Sequence, residues 1–91
     1  MKTYIITCLD KKNSLKKRLA NRELHLEYLQ SFKKKLIVAG PILNKTNKPK
    51  GSFLILKFRN KLELNNFLKN DPYSKVGLFE TVNIEIFKRV F

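Results

Sequence analysis

The first predicted helix carries an arginine in the middle of its apolar stripe. The stripe consists of four leucines, Leu15, Leu19, Leu26 and Leu29. Arg22 falls among them, and Arg18 and His25 lie on the flank of the same stripe, on adjacent turns. A guanidinium keeps its proton, so it must pair with an anion or reach water. Two interpretations stay open: Arg22 extends past the leucines into solvent, or it binds an anionic ligand.

His25 is the only histidine in the chain, and its chemistry depends on a partner. One imidazole together with Cys8 falls short of the three or four ligands that zinc requires, so we expect no metal site. A carboxylate on one ring nitrogen would fix the proton there and leave the other nitrogen free for acid–base catalysis. Without such a partner, His25 is a packed or partly exposed helix residue.

Asp71 is the acid best placed to pair with His25. Glu23 and Glu27 have the wrong helical spacing to reach that imidazole. Asp71 follows the second predicted helix, in a turn held by Pro72, and the two helices are neighbours in the topology predicted below. The alternative is that Asp71 only ends the helix, because Asp before Pro is a common turn signal.

Other catalytic motifs find no support in the sequence. The four serines lack a nucleophile-elbow context; they are Ser14, Ser31, Ser52 and Ser74. The three glycines are too far apart for a phosphate-binding loop. Cys8 lies in the middle of a predicted strand and is expected to be a small core residue.

The elements that must position these side chains follow the order β-α-β-β-α-β. Strands are predicted at 2–9, at 36–39 (stopped by Gly40-Pro41), at 52–58 and at 81–87, and helices at 15–35 and 60–70. This order predicts an α+β, ferredoxin-like fold, in which two helices cover one face of a four-stranded antiparallel sheet. The 91 residues suffice for one domain, 1–91.

The first and third predicted strands are apolar on both faces. In the first, Ile5 and Leu9 oppose Tyr4, Ile6 and Cys8; in the third, Phe53 and Ile55 oppose Leu54, Leu56 and Phe58. The helices cover only one face, and an exposed apolar face of several hundred Å² marks an interface. We therefore expect a homodimer that packs sheet against sheet.

The net charge of +13 comes from 20 basic and seven acidic residues. The lysines are scattered along the chain rather than interleaved with arginine and aromatic residues, as nucleic-acid binding would favour. We therefore expect no nucleic-acid partner, although a basic nucleic-acid-associated protein stays a less favoured alternative.

The apolar runs are too short to cross a membrane or to serve as the core of a signal peptide. A single cysteine cannot form an internal disulfide, which fits a reducing compartment. The expected location is the cytoplasm.

Several segments together resemble the YciI-like (YCII-related) family, small bacterial relatives of the dimeric α+β barrel proteins. They are Asp10, the run 14–26 (SLKKRLANRELHL), 39–41 (AGP), 71–73 (DPY), 77–78 (GL) and 86–91 (IFKRVF). The resemblance spans nearly the whole chain and implies a ferredoxin-like fold and a dimer. We expect no cofactor. One departure is the run 33–36 (KKKL), where the family tends to have a turn with glycine.

The resemblance also implies a pocket with a catalytic pair, which here is His25 and Asp71. Some members act on small lactone or muconate-like acids, including dehalogenation. On this basis Asp71 would hold the tautomer of His25, which would move a proton next to a carbonyl. The expected contacts to a small anionic substrate are a fork-like grip by Arg22 with Arg18 and a hydroxyl from Tyr73 or Tyr4. The alternative is a non-catalytic module of the same fold that binds or senses a small ligand.

Overall fold

A four-stranded antiparallel sheet, in the order β2-β3-β1-β4, forms one layer of the computed structural model, which describes residues 1–91. Its strands are β1 (Lys2–Asp10), β2 (Leu36–Leu43), β3 (Pro49–Phe58) and β4 (Phe79–Phe87). The helices are α1 (Leu15–Ala20), α2 (Arg22–Ser31), α3 (Lys61–Asn70) and α4 (Pro72–Lys75). The predicted α+β, ferredoxin-like fold is confirmed. None of these helices has the length and apolarity that crossing a membrane requires.

The prediction of a single helix over 15–35 is wrong in two respects. It is interrupted at Asn21, whose side chain donates a hydrogen bond to the backbone carbonyl of Lys17 at 2.9 Å. Such a side chain competes with the backbone for helical hydrogen bonds, so α1 ends and α2 begins around it. The second helix then ends at Ser31, and the segment 32–35 is a turn. Residues of both short helices line one cavity.

The edges of the predicted strands also need correction. The second strand does not stop at Gly40-Pro41 but continues to Leu43. Because β2 is an edge strand, the missing N–H of Pro41 removes no hydrogen bond that the fold needs. The third strand starts at Pro49 and the fourth at Phe79, both earlier than predicted. The short helix α4 was not predicted from the sequence.

The core lies between the sheet and the helices. Its strand residues are the inward-facing side chains of β1 and β3, namely Tyr4, Ile6, Cys8, Leu54, Leu56 and Phe58. Leu29 of α2 and Leu64 and Phe67 of α3 pack on them. The outer face of the sheet has no covering element in the single chain, and Leu9 and Phe53 there are 42% and 37% exposed.

Candidate active site

His25 and Asp71 are in contact, although 46 positions separate them in the sequence. The α2 helix carries the imidazole, and the turn between α3 and α4 carries the carboxylate. Nδ1 of His25 lies 3.0 Å from Oδ1 of Asp71, and both residues are buried. Since an ionised carboxylate only accepts hydrogen bonds, Nδ1 carries the proton in the neutral ring and Nε2 has a free lone pair. No buried side-chain nitrogen or oxygen lacks a partner, so Nε2 must be accessible to solvent or to a ligand.

Asp71 also fulfils the structural role that the sequence suggested. It is the N-cap of α4, and the same Oδ1 accepts the backbone N–H of Tyr73 at 2.9 Å. Pro72 at the first helical position preorganises this turn. The cap therefore fixes the carboxylate that in turn orients the imidazole.

Tyr73 stacks on the ring of His25. The ring centroids are 4.0 Å apart and the planes differ by 18°, and only 1% of Tyr73 is exposed. On the same phenol ring, Cζ of Arg18 lies 4.7 Å from the centroid. Burial raises the pKa of Tyr73 above its usual value, and Arg18 and Arg22 offset only part of that effect. Tyr73 is therefore a neutral phenol at physiological pH.

Arg18 is buried and held by two side chains. Its Nε and Nη2 donate to the two carboxylate oxygens of Asp10 at 2.6 and 3.0 Å, and Nη2 also donates to Oγ of Ser52 at 2.8 Å. Only 4% of the residue is exposed. The expected fork-like grip of Arg18 on a substrate carboxylate needs correction, since Asp10 already occupies that fork. Only Nη1 makes no hydrogen bond within the chain.

Arg22 contrasts with Arg18 because it is exposed and makes no ion pair or side-chain hydrogen bond. Both guanidiniums line the same cavity. Arg22 therefore extends past the leucines into solvent, as the first of the two interpretations predicted. It does so at the mouth of a cavity with room for a ligand, so the second interpretation stays a prediction.

The cavity has a volume of about 240 Å³ and lies between the bend of α1 and α2 and the β2–β3 hairpin. The polar side chains that line it are Arg18, Arg22, His25, Ser52 and Tyr73. Leucines of the helices and Pro41 and Pro49 of the hairpin provide apolar walls. This volume lies below the range of about 300–1,000 Å³ typical of sites for drug-sized ligands, so it suits a small molecule.

Two other candidates lie outside this cavity. Tyr4 belongs to the buried core and does not line the cavity, so Tyr73 is the tyrosine placed to meet a ligand. Cys8 is also in the core, and burial raises the pKa of its thiol to about 12. It is a neutral, unreactive thiol at physiological pH. No three histidine, cysteine or acidic side chains cluster as metal ligands would.

Asp10 and Ser52 are the site residues that the sequence reasoning missed. Asp10 appeared only as part of the resemblance, and Ser52 only as the start of a strand and as a serine without a catalytic motif. One sequence feature could have predicted the ion pair of Asp10 with Arg18. Asp10 ends an apolar strand, and Arg18 follows eight positions later beside the apolar stripe of a helix. Ser52 had no comparable signal, because its place depends on the pairing of β3 with β1.

Comparison with known proteins identifies the family of the chain. The family model of the YCII-related domain matches residues 2–88. An uncharacterized protein of Haemophilus influenzae is 34% identical, and Protein YciI of Escherichia coli is 35% identical; each match covers 97% of this chain and 98% of the relative.

Solved structures extend the comparison to an enzyme. The 5-chloro-2-hydroxyhydroquinone dehydrochlorinase TftG from Burkholderia phenoliruptrix, in complex with 2,5-dihydroxybenzoquinone, has a TM-score of 0.90 and 35% identity. That match covers 96% of this chain and 94% of TftG. An antibiotic biosynthesis monooxygenase shares only the fold, with a TM-score of 0.57, 12% identity and 99% coverage of both chains. The chain described here therefore belongs to the YciI-like, YCII-related family.

Proposed function

We propose that this protein is an enzyme that uses His25 and Asp71 to move a proton on a small anionic substrate. The observation that carries the proposal is the 3.0 Å contact between the two side chains at a cavity wall. The contact uses Nδ1 of the imidazole and leaves Nε2 accessible. This is the arrangement that a general base needs, namely an oriented ring with one free lone pair.

The chemistry follows from the charges in the cavity. Nε2 takes a proton from a substrate hydroxyl, or from a carbon next to a carbonyl, and the carboxylate of Asp71 stabilises the imidazolium that forms. The same imidazolium can return the proton to the product or to a leaving group. Arg22 lacks an anionic partner in the chain and offers its charge to an anion that enters the cavity.

The expected substrate is a flat, oxygen-bearing molecule such as a polyhydroxylated ring, a lactone or a small carboxylate. The similarity to TftG, whose substrate and ligand are oxygenated six-membered rings, supports a lyase-type reaction on the first of these. The volume of about 240 Å³ and the apolar walls fit one such ring.

Release of chloride from 5-chloro-2-hydroxyhydroquinone tests the proposal. We expect turnover by the unaltered protein and a loss of at least about a hundredfold in His25→Gln, since positioned general bases contribute roughly 10²–10⁴-fold. Ser31→Ala, a serine outside the cavity, is the matched control and should keep full activity. Binding of 2,5-dihydroxybenzoquinone without any turnover would favour the non-catalytic binding module and contradict the enzyme. Equal turnover by His25→Gln would contradict the role of the imidazole.

We also propose that two copies pair through the outer face of the sheet, and that the protein works in the cytoplasm. The first proposal is supported by Ile5, Leu9, Phe53 and Ile55, which lie on one uncovered face. The second is supported by the single free cysteine, a usage typical of reducing compartments.

A further inference from the structure

We propose that Arg18 and Ser52 form a donor pair that binds a ring oxygen of the substrate, and that Asp10 makes this position select against a carboxylate. The inference rests on the proposed function only in assuming that the substrate of His25 occupies the same cavity. It goes further in assigning a recognition role to Ser52 and a selectivity role to Asp10.

The hydrogen bonds of Arg18 leave one part of its guanidinium unused. Nε and Nη2 are occupied by Asp10, and Nη2 is shared with Ser52. Nη1 makes no hydrogen bond within the chain. Because no buried side-chain nitrogen lacks a partner and Arg18 lines the cavity, the free N–H groups of Nη1 are open to a ligand there.

Ser52 supplies the second donor. Its Oγ accepts a hydrogen bond from Arg18, and its own proton has no acceptor within the chain. The residue is 4% exposed and also lines the cavity. Since both Oγ of Ser52 and Nη1 are neighbours of Nη2, two free donors lie side by side on the cavity wall.

The charges near this donor pair disfavour a full carboxylate. Asp10 neutralises Arg18 through two charge-assisted hydrogen bonds between side chains that are only 5–6% exposed. A second carboxylate on Nη1 would share the Arg18 cation with Asp10 in a site of low dielectric, and like charges there repel strongly. A carboxylate elsewhere in the cavity can pair with Arg22 instead, so the selection concerns only the position next to Arg18 and Ser52. A ketone, enolate or phenolate oxygen needs donors but carries less localised charge, so it suits this position better.

Ligand affinities measured by calorimetry test the proposal, with 2,5-dihydroxybenzoquinone and benzoate as probes. Ser52→Ala should weaken binding of the quinone by about tenfold to a hundredfold, the effect of losing one hydrogen bond to a charged oxygen. The same change should alter benzoate affinity by no more than about twofold. Ser52→Thr keeps the hydroxyl and should restore quinone binding, and Ser31→Ala is the matched control.

Asp10→Asn provides the opposite test and keeps the shape of the side chain. Without the negative charge, Arg18 has no counterion, so benzoate should bind several-fold more tightly and should raise the melting temperature of this variant most. Selectivity for the quinone over benzoate should therefore fall in both Ser52→Ala and Asp10→Asn, for different reasons.

The outcomes separate this proposal from the proposed function. His25→Gln should lose turnover but keep quinone binding, which depends on Arg18 and Ser52. Unchanged quinone affinity in folded Ser52→Ala, or weaker benzoate binding in Asp10→Asn, would overturn the donor pair while leaving proton transfer intact. Failure of the unaltered protein to bind the quinone at millimolar concentration would overturn the assigned substrate class.

Discussion

Asp71 has two roles: it caps helix α4, and it orients the imidazole of His25. The same oxygen, Oδ1, accepts hydrogen bonds from His25 and from the backbone N–H of Tyr73. Asp71→Asn keeps a side-chain oxygen that can cap α4, whereas Asp71→Ala loses the cap and leaves the buried imidazole without a partner. We expect Asp71→Ala to lower the free energy of unfolding by about 2–4 kcal/mol, and Asp71→Asn to lower it clearly less. Urea unfolding followed by circular dichroism measures both. Equal losses in the two variants would show that the cap adds nothing.

Among the secondary-structure elements, the pairing of β1 with β3 brings Asp10 and Ser52 together beside Arg18. Cys8 lies opposite Ser52, and Leu9 lies opposite Gly51. Asp10, two positions after Cys8, therefore points to the same face as Ser52, beside Arg18. The two strands approach so closely that a Cβ on Gly51 would lie 2.2 Å from the carbonyl oxygen of Cys8.

Gly51→Ala should therefore force β3 away from β1 and lower the free energy of unfolding by about 3 kcal/mol. The matched control is Gly40→Ala, because a Cβ at Gly40 meets nothing within 4 Å. The control should change stability by less than about 0.5 kcal/mol. Thermal melts of the two variants check this difference. If both variants melted at the same temperature, the close approach of the strands would be refuted.

The same pairing explains how much the sequence could predict. The four strands, the main helices and the candidate pair His25 and Asp71 follow from local patterns and from the resemblance. The break at Asn21 does not, because the leucine stripe runs through it and only the side-chain hydrogen bond to Lys17 shows it. The contacts of Arg18 with Asp10 and Ser52 depend on strand register, which spacing along the chain does not determine.

At the scale of the whole molecule, buried ionisable groups limit stability at high pH. Burial raises the pKa of Cys8 from 9.0 to about 12, so folding favours the neutral thiol. Its contribution is complete below pH 9 and is lost as the pH rises from 9 toward 12. Burial also raises the pKa of Tyr28 from 10.0 to about 12, and the charge of Asp71 adds to this effect. The stability contribution of this neutral phenol is therefore lost as the pH rises above 10.

We therefore expect the unaltered protein to lose stability steeply above about pH 9. Between about pH 9 and pH 10.5, Cys8→Ala should lose about 1.5 kcal/mol less than the unaltered protein, because the slope approaches 1.36 kcal/mol per pH unit only when the unfolded thiol is fully ionised. Urea titrations at several pH values measure the two slopes, and the difference in slope is independent of any constant cost of the substitution. Parallel slopes would show that the thiol of Cys8 ionises as readily in the folded as in the unfolded chain.

The uncovered outer face of the sheet leads us to expect a dimer. Light scattering should give twice the chain mass of 10.7 kDa at micromolar concentration, because pairing would bury the apolar side chains of β1 and β3. Phe53→Asp places a charge on the outer face and should yield a folded monomer. Leu62→Asp, an equally drastic change on exposed α3 surface, is the control and should stay dimeric. A monomeric mass for the unaltered protein would contradict the predicted interface.

Proton transfer by His25 requires an accessible Nε2, and nitrogen NMR of the single histidine detects it. In protein labelled with ¹⁵N-histidine, we predict that Nδ1 carries the proton near pH 8 and that 2,5-dihydroxybenzoquinone shifts the Nε2 resonance. Asp71→Asn should alter the Nδ1 resonance. If saturating ligand shifted neither ring-nitrogen resonance, the proposed role of His25 would be contradicted. The same holds if Asp71→Asn left the Nδ1 resonance unchanged.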